Sequence, residues 1–453
     1  MAANVRPAGL KTPSGRVRRV CAIVFCTGLL AFVLAPMHPL ANDDLPIAKP
    51  ESVGMSSKRL DGISAFIKDV IDRNQIAGAV TLVARSGKIV HFEAQGKRYQ
   101  EEQLPMEKDV LFSLASMTKP IASTALMMLW EEGKFMLDDP ISRWLPSYAN
   151  KAVSDPIAER RESVPAARPV TVRHVLTHTS GLQPIASCQR AAPQTETDTG
   201  QLESTGPRTV LEAIERAAPL PLDFQPGTRW RYGSSTDYVG VLVEKMSGMT
   251  LDDFMRERIF KPLGMRDTHY NVPKEKVNRV AAIYRPGTDG RITLLRRPVY
   301  REPTQCFPGT GGLSGTAADY FRFAQMLANG GEYGGQRLLG PMTINLMVSN
   351  HIGRDKHVYV RGDGYGFGLG FSVLTDPGQS QDALSIGTFS WGGANGTLFW
   401  VDPVEELVGI LMMQLNPYQA SRIRPLFSVV VSQAVIESFR DHKPKVMGHD
   451  TPR

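Results

Sequence analysis

The chain is poor in cysteine. Four occur in 453 residues, and two of them, Cys21 and Cys26, fall in the N-terminal segment. There is no C-x-x-C, no H-E-x-x-H and no cluster of His with Cys. A structural or catalytic metal is therefore unsupported, and no cofactor is expected. Cys188 and Cys306 remain, with one pairing between them and no distance legible from sequence. Two buried free thiols are the favoured reading, and a disulfide is the alternative. No serine satisfies G-x-S-x-G, so a nucleophile elbow of the α/β-hydrolase type has no support. Internal repeats and heptads are absent.

Excess charge of one sign is also missing from most of the chain. The formal net charge is +7, but residues 1–41 carry five basic residues and no acid. The remainder holds 47 basic against 45 acidic residues, which gives no electrostatic case for nucleic acid. The apolar run Val20–Ala35 is sixteen residues long, shorter than the roughly 20 a membrane span needs. It follows Arg18-Arg19 and is closed by Pro36, the pattern of an export signal. Cleavage after Ala41 is one reading, and an uncleaved anchor in the inner membrane is the other. The expected location is exported, periplasmic or secreted, with inner-membrane anchoring as the alternative, in an oxidising compartment.

What is present is the composition of an ordinary globular enzyme, 42% hydrophobic and 21% charged. The chain is organised around residues 111–134, which contain Ser116-Met117-Thr118-Lys119. This is its only S-x-x-K. A serine hydroxyl needs a base to become a nucleophile, and a lysine three residues on shares its face of a helical turn. Residues 121–130 are apolar almost all round, which predicts a buried central helix ended by Gly133. Pro120 disfavours a regular helix at Lys119, so a 3₁₀-like turn is expected at Ser116.

Two further elements bear on this one. Tyr232-Gly233-Ser234 supplies a phenol that can relay protons near a cation; the alternative is a buried aromatic. Residues 390–396, Ser-Trp-Gly-Gly-Ala-Asn-Gly, follow a predicted strand. Their glycines permit close backbone approach, and free N–H groups there suit an oxyanion; the alternative is a tight hairpin. His174 and His178 are read as structural hydrogen-bonding residues, Asp237 as a structural helix residue, and Asp319 as a structural capping or pairing residue.

Periodicity places a helix at 56–74, a hairpin at 78–94 and helices at 209–218, 237–246 and 251–260. Strand candidates are 280–284, 292–295, 370–374, 386–391, 397–401 and 407–415, with helices at 317–327 and 425–440. Residues 183–207 read as a long loop over the site or disordered. The expected fold class is α/β (α+β): an antiparallel sheet built from both ends of the chain, flanked by helices, with an inserted helical lobe. The expected division is 1–41 signal or anchor, 42–115 with 280–445 sheet domain, 116–279 helical domain, and 446–453 tail.

In this order the three elements resemble the serine β-lactamase and penicillin-binding-protein superfamily. The likeness extends to LDDPISRWLP, VRHVLTHTSGL, IFKPLGMRDT and GGLSGTAADYFRFAQML, and covers roughly Ile47 to Ile436. It is nearest to the class C branch, and there to family VIII carboxylesterases and related acyltransferases. The resemblance implies that Ser116 is acylated, that Lys119 is its base and that Tyr232 shares the proton work. It implies an oxyanion hole from the N–H groups of Ser116 and Ala394, with Trp391, Gly392, Gly393 and Ser234 on the substrate. Two departures stand out: Ser234 replaces the amide-contacting Asn of β-lactamases, and Trp391-Gly392-Gly393 carries no cation. The expected substrate is a small ester. A β-lactamase or D-Ala-D-Ala peptidase, an acyltransferase, and a silent binding protein remain open.

Overall fold

Ser56 caps the first helix by accepting a hydrogen bond from the Arg59 N–H, and the helix Ser57–Asp72 buries Leu60, Ile63, Ile67 and Val70. The computed structural model describes residues 45–154, 163–185, 188, 194–196, 202–204 and 207–440. All fall in the compact unit that begins at Leu40. The N-terminal signal or anchor and the tail lie outside the described residues, as does much of 183–207. Within that stretch, expected to be a loop, Gln194–Glu196 pairs with Leu202–Ser204.

An eight-stranded antiparallel sheet forms the centre. Its spatial order is Tyr365–Phe367, Ser372–Leu374, Phe389–Gly392, Leu398–Asp402, Leu407–Met413, Gly78–Arg85, Lys88–Tyr99 and Leu104–Pro105. The two ends of the chain meet where Gly78–Arg85 pairs with Leu407–Met413, for example Leu82 opposite Ile410. Every residue of these two strands is buried, so both faces of the sheet are covered. The helices Ala317–Ala328, Ser57–Asp72 and Ile423–Ser432 supply the cover. The expected strands near 280 and 292 form a separate ribbon, Ile283–Pro286 with Ile292–Arg296.

The central helix is Thr118–Glu131, preceded by the 3₁₀ turn Ala115–Met117 that Pro120 led us to expect. Pro120 sits in its first turn, where a missing N–H breaks no intrahelical bond. Twelve consecutive residues from Thr118 to Leu129 are buried, and the helix packs on Ser235–Ser247.

The cysteines differ from the favoured sequence reading. Cys188 and Cys306 form a disulfide, with Cα atoms 5.8 Å apart across a separation of 118 residues. Only the folded path of the chain sets that distance.

Candidate active site

The strand Phe112–Ser113 runs into the 3₁₀ turn that carries Ser116 through Ala115, whose φ is +46°. This left-handed conformation costs an alanine of order 1 kcal/mol or more, and it marks the turn as held by its surroundings. Ser116 follows. Lys119 Nζ lies 3.1 Å from Ser116 Oγ, and the Lys119 side chain is buried. Lys119 Nζ also donates to the Thr310 carbonyl at 2.7 Å. It stands 4.8 Å from the centroid of the Tyr232 ring. The three residues singled out as catalytic are therefore brought to one point.

A fourth group stands behind them. Asp237 is buried on the helix Ser235–Ser247, and its Oδ1 accepts from both the N–H and the hydroxyl of Thr310, at 2.9 and 2.7 Å. Burial raises its pKa, against the opposing pull of the Thr310 hydrogen bonds and of Lys119. The sequence reading treated Asp237 as a helix residue and passed over Thr310. The signal available was the glycine-rich run from Gly309 to Gly312, since glycines mark close backbone approach. A Cβ on Gly309 would lie 2.1 Å from the Thr236 carbonyl.

The 390–396 segment arrives on the strand Phe389–Gly392, which contacts the turn Ala115–Met117. A Cβ on Gly393 would sit 2.4 Å from the Leu114 carbonyl oxygen, so only glycine brings this turn against the residue two before Ser116. Asn395 Nδ2 donates to Ser113 Oγ at 3.0 Å, and Thr397 Oγ1 donates to the Leu114 carbonyl at 3.3 Å. The Ala394 N–H meets no acceptor among the described residues. The Ser116 N–H lies at a helix start, where intrahelical acceptors are lacking. Both donors expected of an oxyanion hole are thus on segments tied to each other.

Trp391 is buried, with its ring centroid 5.3 Å from that of Tyr232 and 5.4 Å from that of Phe367. Trp230 stacks on Tyr232 at 6.2 Å, and His178 packs against Tyr232 at 5.1 Å. The Tyr359 hydroxyl accepts from the Tyr232 N–H at 3.1 Å. The site is therefore walled by aromatic rings. Burial and the nearby Lys119 push the His178 pKa down to about 3, so its imidazole is neutral. His178 Nδ1 and the indole nitrogens of Trp230 and Trp391 have no partner among the described residues. His178 packs through its ring, and its backbone carbonyl accepts from the Arg231 N–H at 2.9 Å. His174 does hydrogen-bond, closing a capping box with Thr171. Asp319 accepts from Asp267 N–H and Thr268 hydroxyl, a structural role as expected. Ser234 turns its Oγ to the Ile185 N–H, 3.1 Å away.

One cation comes from an unforeseen place. Arg424, on the C-terminal helix, lies against Gly392, where a Cβ would overlap its Nη2. It donates to the Thr397 carbonyl and lies 3.9 Å from the centroid of the Tyr418 ring. Burial lowers its pKa to about 10, which still leaves it charged at neutral pH. Only the fold brings it to the glycine pair, 32 residues earlier in the sequence.

A model of the family described as Beta-lactamase matches residues 63–429. Protein Rv1367c of Mycobacterium tuberculosis is 36% identical over 376 residues, 79% of this chain and 90% of that protein. Esterase EstB of Burkholderia gladioli is 32% identical over 377 residues, with the same two coverages of 79% and 90%. The solved structure of EstCE1, described as a hydrolase with promiscuous acyltransferase activity, superimposes with a TM-score of 0.68 at 26% identity. That match covers 84% of this chain and 99% of EstCE1.

Proposed function

The chain belongs to the β-lactamase family and has its fold, and from that premise we propose that it is an exported carboxylesterase acting through an acyl-Ser116 intermediate. The observation that carries this reading is the buried Lys119 Nζ, 3.1 Å from Ser116 Oγ with its other contact on the Thr310 carbonyl. In the neutral amine, an N–H held by Thr310 leaves the lone pair for the serine proton. Ser116 Oγ then attacks the ester carbonyl as its proton passes to Lys119. The oxyanion forms between the N–H groups of Ser116 and Ala394. The C–O bond to the alcohol breaks, and the alcohol leaves with a proton from Lys119 or Tyr232. Water then attacks the acyl-serine by the same route, releasing the acid and restoring Ser116.

Ester is favoured over β-lactam by what surrounds Trp391. A β-lactam, or a peptide ending in D-Ala, brings a carboxylate close to the reacting carbonyl. Burying that charge without a partner costs several kcal/mol. Trp391 offers only a neutral N–H and an apolar face. Arg424, beside Gly392, is engaged with Thr397 and Tyr418. The names of EstB and EstCE1, an esterase and a hydrolase, agree with this reading. Export is supported by the N-terminal basic and apolar stretches, and the disulfide suits an oxidising compartment. Transfer to an alcohol in place of water uses the same acyl-enzyme, and EstCE1 is the specific precedent for it.

The test is one preparation assayed on p-nitrophenyl butyrate, nitrocefin and a D-Ala-D-Ala peptide, with fluorophosphonate labelling in parallel. We expect turnover of the ester, little of the others, and a single adduct on the Ser116 peptide that is absent from Ser116→Ala. A kcat/KM on nitrocefin well above that on the ester would replace this reading with a β-lactamase.

A further inference from the structure

A cleft of about 630 Å³ adjoins the catalytic segments. Its wall includes Ser113, three residues before the nucleophile, and Pro308, Gly312 and Ser314, from the loop whose Thr310 holds Lys119. Three residues of chain reach at most about 10 Å, so the cleft wall begins within that distance of Ser116. Its floor is apolar, with Val272, Val277, Val280, Ala281 and Ile283. Its rim is cationic, with Arg296, Arg297 and Arg301, all exposed to solvent. Among the described residues no Asp or Glu lines it. None of the three arginines forms an ion pair among the described residues. Partial burial of its guanidinium, and after it the neighbouring Arg301, lower the pKa of Arg296, so a counter-charge beside it is favoured.

We propose that this cleft binds the anionic end of an amphiphilic substrate, a hydrocarbon chain ending in a carboxylate or phosphate, whose ester reacts at Ser116. Apolar floor and cationic rim match the two parts of such a molecule. The charge sits at the end remote from the reacting carbonyl, which distinguishes it from a β-lactam, whose carboxylate would lie near Trp391. This inference rests on the esterase reading for its chemistry but not for the binding itself.

Two measurements test it. In the first, kcat/KM is compared for mono-p-nitrophenyl suberate and p-nitrophenyl octanoate, matched in length and differing in the terminal carboxylate. At low salt the ratio should favour the suberate by at least about tenfold. It should fall toward one in 0.5 M NaCl, where charges are screened within a few ångström. It should fall likewise in R296Q/R297Q/R301Q, whose fold is checked by circular dichroism. A ratio at or below one in the wild type, or a preference untouched by salt and by the substitutions, overturns the proposal. If the triple variant does not fold, the salt series on the wild type decides. In the second, isothermal titration calorimetry on the full chain compares octanoate, octyl phosphate and 1-octanol. Binding of either anion, but not of the alcohol, upholds the cleft even if no ester is turned over, and the stronger anion identifies the head group. Equal binding of all three, or binding of none, overturns it.

Discussion

A single residue, Thr310, joins Asp237 to Lys119. The carboxylate of Asp237 holds the N–H and hydroxyl of Thr310, and the carbonyl of Thr310 receives Lys119 Nζ. Lys119 is thus held beside Ser116 through Thr310 by a buried acid, which in the proposed reaction makes Asp237 a positioning residue. Asp237→Asn should lower kcat about tenfold or more and leave KM within about twofold. Thr310→Ala, which keeps the N–H, should cost less. Because both act through one network, the double variant should lose less than the two losses combined. Fully additive losses would show that the two residues act separately.

Tyr232→Phe keeps the ring over which Lys119 lies, and the contacts with Trp391 and His178. It removes only the hydroxyl. We expect kcat to fall by about 10²-fold, the lower range for loss of general acid–base help, with an unchanged melting temperature. An unaltered kcat would reduce Tyr232 to a packing residue. Lys119→Ala should cost at least as much.

Trp391→Lys puts a flexible ammonium where the family carries a cation. It also opens the aromatic wall that Trp391 makes with Tyr232 and Phe367. The rate on p-nitrophenyl butyrate should drop while acylation by nitrocefin rises, narrowing the gap between them. A gap that widens, or a variant inert toward both with its fold intact, would count against Trp391 as the selecting residue.

His178 makes stability depend on pH. Its pKa is about 3 in the folded chain against an ordinary 6.5, so the unfolded chain binds the extra proton between those values. Stability from the neutral imidazole is therefore complete above pH 6.5 and drains away as pH falls toward 3. The full span corresponds to at most about 5 kcal/mol. In urea melts, the wild type should lose midpoint steadily from pH 7 to pH 4.5. His178→Phe, which keeps a ring among Tyr232, Trp230 and Phe367, should lose less over the same interval. Parallel losses would assign the acid sensitivity elsewhere.

Local chemistry was legible in the sequence because it depends on short spacings. Ser116 and Lys119 meet because three residues make a helical turn, and Pro120 announced the 3₁₀ start. The buried helix Thr118–Glu131 and the strands Leu398–Asp402 and Leu407–Met413 were visible as apolar runs of the right period. The glycines at 392 and 393 marked the close approach that the fold makes there.

What the tertiary structure alone decided are the meetings of residues far apart in the chain. Asp237 with Thr310 spans 73 residues, and Cys188 with Cys306 spans 118. Arg424 reaches Gly392 from the C-terminal helix, and Ser113, Cys306 and Arg296 come to share one cleft. No local propensity encodes such contacts. They follow from how the sheet pairs Gly78–Arg85 with Leu407–Met413 and from which helix faces are left to cover it. The sequence by itself placed Ser116 and Lys119, the proposed nucleophile and base, within one turn of helix. The fold decided that Asp237 reaches Lys119 through Thr310, that Arg424 lies against Gly392, and which residues share the cleft, because each depends on distances through space that short-range periodicity does not carry.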